Sequence, residues 1–212
     1  MLLDASGDSP DPDVVGRAVE ALKAGQPIVV PTDTVYGIAA DPRQTGSLFA
    51  IKGRPREVAL PVLIGDVDQA TALAADGLPP AVHQLMDRWW PGALTVVVPR
   101  RGGLGLDLGG PDDATIGLRL PGHPVPVALA ARFGPLAVTS ANRHGEVTPV
   151  TALEVIAQLG DGVAVVLDGG PCGGAASTVV SCVDGELRVL REGAIPSSRV
   201  LEKHTQAPGP PR

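Results

Sequence analysis

The sequence predicts an α/β (α+β) protein whose twisted, open sheet mixes parallel and antiparallel strands and is flanked by helices. Strand-like and helix-like segments alternate over most of the 212 residues, and this alternation favours helices packed on a sheet. A strand pair around Asp184-Gly185 then closes the order, and a hairpin adds antiparallel neighbours to such a sheet. No internal repeat or linker divides the core, so we expect one domain over residues 1–203.

In the first half of the chain, the clearest element is an amphipathic helix. Apolar residues recur at helical spacing from Val14 to Leu22, with Asp13 as the expected N-cap and Gly25 as the expected residue after the helix. The other segments of this half are predicted as strands at 27–31 and 60–64 and as helices at 45–53, 66–76 and 79–90.

The second half continues the alternation. Strands are predicted at 93–99, 115–121, 135–139 and 162–170, and helices at 125–134 and 152–160. Long loops rich in glycine or small polar residues separate them at 100–114 and 140–151. The hairpin at 178–191 is expected to turn through two residues, Asp184 and Gly185. Residues 204–212 are expected to form a disordered C-terminal tail.

Composition and charge exclude several classes of protein. The net charge of −6 argues against broad binding to nucleic acid or to a membrane surface, because both need an excess of Lys and Arg. The N-terminus has no basic region followed by an apolar run, so no signal peptide is expected. The two cysteines, Cys172 and Cys182, lack the spacing of a metal site. The sequence therefore predicts a soluble, cytoplasmic protein without a protein-held metal.

Several strands end in polar residues, and such strand ends carry the ligand sites of open α/β sheets. The segment "PTDTVYG" (31–37) places Thr32, Asp33 and Thr34 directly after a buried strand, and "KGRP" (52–55) offers Lys52 and Arg54 on a rigid turn. When each segment is taken alone, a structural role explains it better than a functional one: a local turn for the first segment and a solvated charge run for the second. No phosphate-binding loop of the GxxxxGK[ST] type occurs.

Three later segments repeat this pattern. Strand alternation over 115–120 puts Arg119 on the small-residue face together with Thr115 and Gly117, where its guanidinium could bind a carboxylate or a phosphate. The other polar residues of these segments are Ser140, Asn142, Thr148, Ser177 and Arg191. The glycines of a nucleophile elbow are missing around Ser140, so a serine hydrolase is not expected.

Taken together and in order, seven segments resemble the YrdC-like family of threonylcarbamoyl-AMP synthases. They are "PTDTVYG", "KGRP", "WPGALT", "LRLPGHP", "TSAN", "STVV" and "LRVLREG", and the resemblance runs from about residue 14 to about residue 200. It implies a YrdC-like fold with a concave cleft. It also implies the synthesis of L-threonylcarbamoyladenylate and pyrophosphate from L-threonine, bicarbonate or CO₂, and ATP, for the threonylcarbamoyladenosine modification of tRNA by a separate TsaD-type transferase.

The resemblance also implies roles for particular residues. Thr34, Arg119 and Ser177 would bind threonine, and Lys52 and Arg54 would hold the phosphates of ATP, so that Lys52, Arg54 and Arg119 would carry catalysis. The residues expected on the nucleotide side are Ser140, Asn142, Thr148 and Arg191. Mg²⁺ would be held mainly by ATP. Tyr36 and Gly37 would form the wall of the threonine pocket, and the role of Asp33 stays open.

Three departures from the family pattern keep two alternatives open. Val58 stands in "REVALP" where a nucleotide contact is expected, Glu192 stands beside Arg191, and His144 replaces a serine of the loop after "TSAN". One alternative is a YciO-like paralogue with an altered substrate. The other is an RNA-binding module of the same fold, with weak or indirect tRNA binding through Lys52, Arg54, Arg56 and the Arg100-Arg101 pair. The chain resembles the short form of the family, which has a single YrdC-like domain.

Overall fold

One ten-stranded sheet organises the computed structural model, which describes residues 1–75 and 77–202. The strands are β1 Leu2–Asp4, β2 Ile28–Val30, β3 Gly37–Ala40, β4 Val62–Leu63, β5 Leu94–Pro99, β6 Thr115–Arg119, β7 Leu136–Ser140, β8 Val165–Asp168, β9 Thr178–Ser181 and β10 Arg188–Arg191. The helices are α1 Pro12–Lys23, α2 Gly46–Lys52, α3 Val67–Leu73, α4 Pro80–Trp89, α5 Pro124–Phe133, α6 Ala152–Leu159 and α7 Ser197–Leu201.

The sheet has the order β1-β8-β2-β3-β7-β4-β6-β5-β9-β10. The pairs β1/β8, β8/β2, β4/β6 and β5/β9 are parallel, and the other neighbours are antiparallel. The mixed sheet with flanking helices confirms the predicted fold class. In the described part of the chain, no helix is long and apolar enough to cross a membrane.

Helices cover both faces of the sheet, but one face only in part. Alternate residues of β2 and β3 pack into two separate apolar clusters, because successive side chains of a strand point to opposite faces. On one face α1 and α5 cover the strands as far as β4, where Leu63 still belongs to their cluster. Leu63 pairs with Arg119 of β6, so the same face continues beyond these helices with polar residues. That uncovered face is the floor of a cleft.

The ends of α1 agree only in part with the prediction. Gly25 follows the helix with a φ of 72°, as expected for the residue that ends it. The N-cap, however, is Asp11 and not Asp13, since the Asp11 carboxylate accepts a hydrogen bond from the backbone N–H of Asp13. Pro12 at the first helical position has no N–H to satisfy, which allows the helix to begin there.

The C-terminal hairpin forms, but its predicted two-residue turn is wrong. Arg188 pairs with Ser181, so residues 182–187 connect β9 and β10, with Asp184 and Gly185 inside this longer loop. The Asp184 side chain accepts the N–H of Glu186, and this local bond replaces further strand pairing. The predicted tail at 204–212 lies outside the described residues, and so does the end of the predicted domain at residue 203.

Candidate active site

The uncovered sheet face opens into two adjoining cavities. One cavity of about 340 Å³ lies at the ends of β2, β6 and β7 and is called here the polar cavity, because hydroxyl and guanidinium groups line it beside an equal area of apolar surface. A mainly apolar cavity of about 300 Å³ lies over β5, β6 and β9. The wall that both share is formed by Arg54, Pro61, Thr95, Ser177 and Arg191. A ligand with one polar and one apolar part could therefore occupy both cavities and bring its centre to this wall.

The segment 31–37 forms one lip of the polar cavity through a hydroxyl-based turn. The Thr32 hydroxyl donates to the carbonyl of Val35 at 2.6 Å and accepts the N–H groups of Thr34 and Val35 at 3.1 Å. Such a turn reverses the chain between β2 and β3 without backbone pairing. Thr34 is thereby buried with its hydroxyl 2.9 Å from that of Thr32, and both threonines line the cavity.

Tyr36 does not form a wall of this cavity, so that expectation is wrong. Its ring is fully buried in the core on the other face of the sheet, and its hydroxyl donates to the carbonyl of Gly170 at 2.7 Å. Burial, followed by the nearby Asp168 carboxylate, raises the pKa of Tyr36. Gly37 does line the cavity, and a Cβ there would lie only 2.6 Å from Val138. The close approach of β3 to β7 at this point therefore requires a glycine.

Arg119 is fixed at the base of the polar cavity. As the strand alternation predicts, it lies on the cleft face of β6, while Ile116 and Leu118 pack into the core. Its guanidinium donates from Nε to the Gly92 carbonyl at 2.9 Å, from Nη1 to the Thr34 hydroxyl at 2.8 Å and from Nη2 to Asp33 at 2.6 Å. Arg119 and Thr34, which the sequence assigned to one substrate, therefore contact each other directly.

Lys52 lies behind the polar cavity, at the end of β7. It is 5% exposed, and its ammonium contacts four oxygens at 2.7–3.2 Å, which are the backbone and side-chain oxygens of Ser140 and Asn142. An ammonium has three protons, so one of these four contacts is shared at any moment. Lys52 thus holds the turn that presents Ser140 to the cavity, and its expected contact with ATP phosphates stays a prediction.

A proton uptake should accompany nucleotide binding at this site. Burial, with a smaller contribution from Arg54, lowers the pKa of Lys52 to about 8. Phosphates bound at Ser140 would favour the charged ammonium and raise this pKa. Above pH 8 the free protein has largely lost this proton, so binding must restore it, and affinity falls as the pH rises through 8.

Calorimetry of a nonhydrolysable ATP analogue at pH 8.5, in buffers of different ionisation enthalpy, measures this uptake. We expect uptake of a fraction of a proton for the unmodified protein and none for Lys52→Met. An analogue that binds the unmodified protein without proton exchange would contradict the placement of phosphates near Lys52.

Arg54 and Arg191 stand together on the wall that the two cavities share. Arg54 donates to the carbonyls of Val58 and Ala59, and Arg191 donates to the carbonyl of Ser177 at 2.8 Å. Burial lowers the pKa of both, and their mutual repulsion lowers that of Arg54 further. Within residues 1–75 and 77–202, neither guanidinium has a carboxylate partner. Two adjacent cations without a counter-ion favour the binding of an anion here.

Thr95 is a cleft residue that the sequence analysis did not single out. Its hydroxyl lies 2.9 Å from that of Ser177, and both side chains are buried at the shared wall. The signal was present in the segment "WPGALT", whose last residue is Thr95. Alternation along β5 also indicates it, because Leu94 and Val96 are core residues and Thr95 must face the other way.

The structure brings most of the predicted residues together. Those that line the polar cavity are Thr34, Arg54, Arg119, Ser140, Thr148, Ser177 and Arg191. Lys52 and Asn142 do not line it but support Ser140 from behind. Of the departures from the family pattern, Val58 lines the apolar cavity. The Glu192 carboxylate accepts the backbone N–H of Ser197 at the start of α7, so it is engaged there.

Fold and cleft together define an α/β protein with a cationic, hydroxyl-rich site for a small anionic molecule. The Sua5/YciO/YrdC family model, whose description is "Telomere recombination", matches residues 20–193. A protein of Mycobacterium tuberculosis named "Putative threonylcarbamoyl-AMP synthase" is 42% identical over 205 residues, which cover 92% of this chain and 93% of that protein. The chain belongs to the Sua5/YciO/YrdC family.

Two further relatives extend the comparison. The threonylcarbamoyl-AMP synthase of Bacillus subtilis is 35% identical over 90% of this chain and 56% of its own length. The crystal structure of Pyrococcus abyssi Sua5 complexed with L-threonine superimposes with a TM-score of 0.84 at 27% identity, over 95% of this chain. The chain spans 61% of that Sua5 chain.

Proposed function

We propose that this chain is an L-threonylcarbamoyladenylate synthase, a nucleotidyltransferase that consumes L-threonine, bicarbonate or CO₂, and ATP. The observation that carries the proposal is the convergence of Thr34, Arg119 and Ser177 with Arg54 and Arg191 on one cleft. The names of the Bacillus subtilis synthase and of the threonine-bound Pyrococcus abyssi protein support the same assignment.

The two cavities suggest how the substrates divide. Threonine suits the polar cavity, where hydroxyl groups and Arg119 can bind its ammonium, hydroxyl and carboxylate groups. Adenine suits the apolar cavity, whose lining includes Val58, Val97, Val179 and Leu190. The α-phosphate between them would then lie at the shared wall, against Arg54 and Arg191. In this proposed arrangement the two reacting substrates would lie side by side.

The chemistry requires positioning more than a protein nucleophile. The threonine amine captures CO₂ as a carbamate with loss of a proton, and a carbamate oxygen then bonds to the α-phosphorus while the bond to pyrophosphate breaks. Negative charge builds up on the phosphate oxygens during this step, and preorganised cations stabilise it. Arg54 and Arg191 stand where such charge would develop.

Mg²⁺ would enter with the triphosphate as part of the nucleotide substrate. The donors that line the polar cavity are guanidinium and hydroxyl groups, and a site that holds Mg²⁺ through the protein needs carboxylate oxygens. The carboxylate of Asp33, beside this cavity, forms an ion pair with Arg119. The residues therefore fit a cation that ATP carries. The cytoplasmic location and the downstream TsaD-type transferase belong to the same proposal.

RNA binding by this fold has little support in the structure. Three basic residues that the sequence offers for RNA binding outside the cleft are bonded within the protein, as Arg56 pairs with Asp107, Arg100 pairs with Asp113 and Arg101 donates to the carbonyl of Ala72. A salt-dependent affinity for tRNA would instead require several such cations to be available for phosphates.

The activity is tested by pyrophosphate release from the purified protein. We expect release only when L-threonine, bicarbonate and ATP are all present, with threonylcarbamoyl-adenylate identified by mass. Complementation of a strain that lacks the synthase should then restore the tRNA modification. Pyrophosphate release that does not depend on threonine would contradict the proposal and favour a YciO-like paralogue. So would a failure to release pyrophosphate when all three substrates are present.

Thr34→Val should raise the KM for threonine more than the KM for ATP. The substitution keeps the shape of the side chain but removes the oxygen that accepts the Arg119 Nη1 hydrogen bond. We expect the KM for threonine to rise by about tenfold, the equivalent of one hydrogen bond to a charged group, with little change in the KM for ATP.

Steady-state kinetics with each substrate varied separately measure this difference. Thr71→Val on the exposed surface of α3 is the matched control and should leave both constants unchanged. An equal rise in both KM values would show that Thr34 does not belong to a threonine pocket.

A further inference from the structure

Asp33 stands beside the polar cavity without lining it. Thr32 and Thr34 on either side line the cavity, but Asp33 is not among the lining residues. Its Oδ1 instead accepts two hydrogen bonds, from Arg119 Nη2 at 2.6 Å and from the backbone N–H of Gly122 at 3.0 Å. A carboxylate next to an anion site would weaken binding unless its charge served another group.

We propose that Asp33 is a positioning residue that orients the Arg119 guanidinium as a two-pronged donor for the carboxylate of the amino-acid substrate. This inference rests on the proposed function. Asp33 acts through Arg119 and does not itself contact the substrate.

The hydrogen bonds of Arg119 show which donors remain. A guanidinium has five N–H groups. Gly92 takes the one on Nε, Thr34 takes one on Nη1 and Asp33 takes one on Nη2. One N–H on each Nη is then left for a ligand, and a guanidinium that donates from both Nη atoms can bind the two oxygens of a carboxylate. Without Asp33, the Arg119 guanidinium would lose one of the three contacts that fix its orientation, and it could rotate more freely.

Backbone contacts around Asp33 hold its carboxylate more firmly in place than the carboxylate of an exposed ion pair. The backbone N–H of Gly174 donates to the Thr34 carbonyl at 2.7 Å, and a Cβ at Gly173 would lie 3.1 Å from the Asp33 carbonyl. Gly173 and Gly174 therefore pack directly on the backbone of Asp33 and Thr34. Because this backbone cannot shift easily, the carboxylate holds Arg119 at a defined place.

The charges around Arg119 also support a positioning role for Asp33. Burial lowers the pKa of Arg119 and Asp33 opposes that effect, while Arg191 lowers the pKa further. The Asp33 carboxylate thus offsets two effects that disfavour the charged form of Arg119, which are its burial and the nearby charge of Arg191. The pair leaves Arg119 charged, rigid and still able to donate.

A comparison of two ligands isolates this role. We measure by calorimetry the affinities for L-threonine and for L-threonine amide, which lacks the carboxylate, in the unmodified protein and in Asp33→Asn. We expect Asp33→Asn to lower the affinity for L-threonine about tenfold or more, since a misplaced hydrogen-bond donor loses much of its effect. The affinity for the amide should stay unchanged, so the preference for the carboxylate shrinks.

The matched control is Asp113→Asn, which removes the carboxylate partner of another buried arginine, Arg100, outside the cleft. It should leave both affinities unchanged. If Asp33→Asn does not fold, Asp33→Glu carries the same comparison, because its longer side chain displaces the carboxylate while it keeps the charge.

Two results would overturn the inference and leave the proposed function intact. One is that the Asp33 variant binds both ligands with unchanged affinity, and the other is an equal loss of affinity for both ligands, which indicates a structural role only. A protein that binds no L-threonine even without substitution would overturn the proposed function and this inference with it.

Discussion

Arg119→Ala is expected to abolish turnover while the protein stays folded. The substitution removes the cation at the base of the polar cavity, and the loss of one preorganised charged donor typically lowers kcat by about 10²–10³-fold. The effect should be larger here, because Thr34 and Asp33 both lose their partner and the proposed threonine pocket loses its shape. Pyrophosphate release under saturating substrates measures the loss.

The stability cost of this change should be moderate. The Asp33 side chain is 20% exposed, so its unpaired charge can be hydrated in part, and we expect a loss of about 2 kcal/mol, between the values for exposed and buried ion pairs. Arg100→Ala is the control, as it removes another buried, paired arginine away from the cleft. It should lower the melting temperature similarly and leave kcat/KM unchanged. Parallel losses of stability and activity in both variants would contradict a specific role for Arg119.

Lys52→Met is the second change with a large expected effect. It leaves the oxygens of Ser140 and Asn142 without their ammonium donor, at roughly 1–3 kcal/mol for each buried group that stays unsatisfied. The turn that presents Ser140 to the cavity should then lose its fixed geometry, and a misplacement of about 1 Å can cost a factor of about 10² in rate. We expect the KM for ATP to rise and kcat to fall together.

Denaturant unfolding and separate titrations of ATP and threonine measure this second effect. Lys23→Met is the matched control, since Lys23 is exposed on α1 and pairs only with Glu20. A Lys52 variant that binds ATP with unchanged affinity would show that the turn at 140–142 does not need its ammonium.

The sequence predicted the elements that carry a clear local pattern and missed those that do not. Helix α1 is long enough for its periodicity to be visible, and the short strands β2 and β4 were predicted because they lie in apolar runs. Strands β1 and β3 and helix α7 were missed, because segments of three to five residues without a run of β-branched residues carry almost no signal. The strand order was also out of reach. Strand β7 lies between β3 and β4, and such an arrangement depends on contacts across about a hundred residues of chain that no local pattern contains.

The site was predictable where a residue's own strand sets its direction. Alternation along β6 placed Arg119 on the cleft face, and the structure agrees. Asp33 stayed open because its partner lies 86 residues away, and Thr95 was missed as a partner of Ser177 for the same reason. Tyr36 was assigned to the wrong side of the sheet, because neither a turn nor an isolated aromatic residue indicates which face it will occupy.

The pairing of Leu63 with Arg119 makes catalysis depend on the accuracy of folding. Strand β4 has only two residues, Val62 and Leu63, and they align β6 with the rest of the sheet. A slip of β6 by a single residue would turn Arg119 into the core and present Leu118 or Leu120 to the substrate, since neighbouring residues of a strand point to opposite faces. Such a misaligned molecule could keep most of its secondary structure and still be inactive, so a normal secondary-structure content does not by itself show that β6 is correctly aligned.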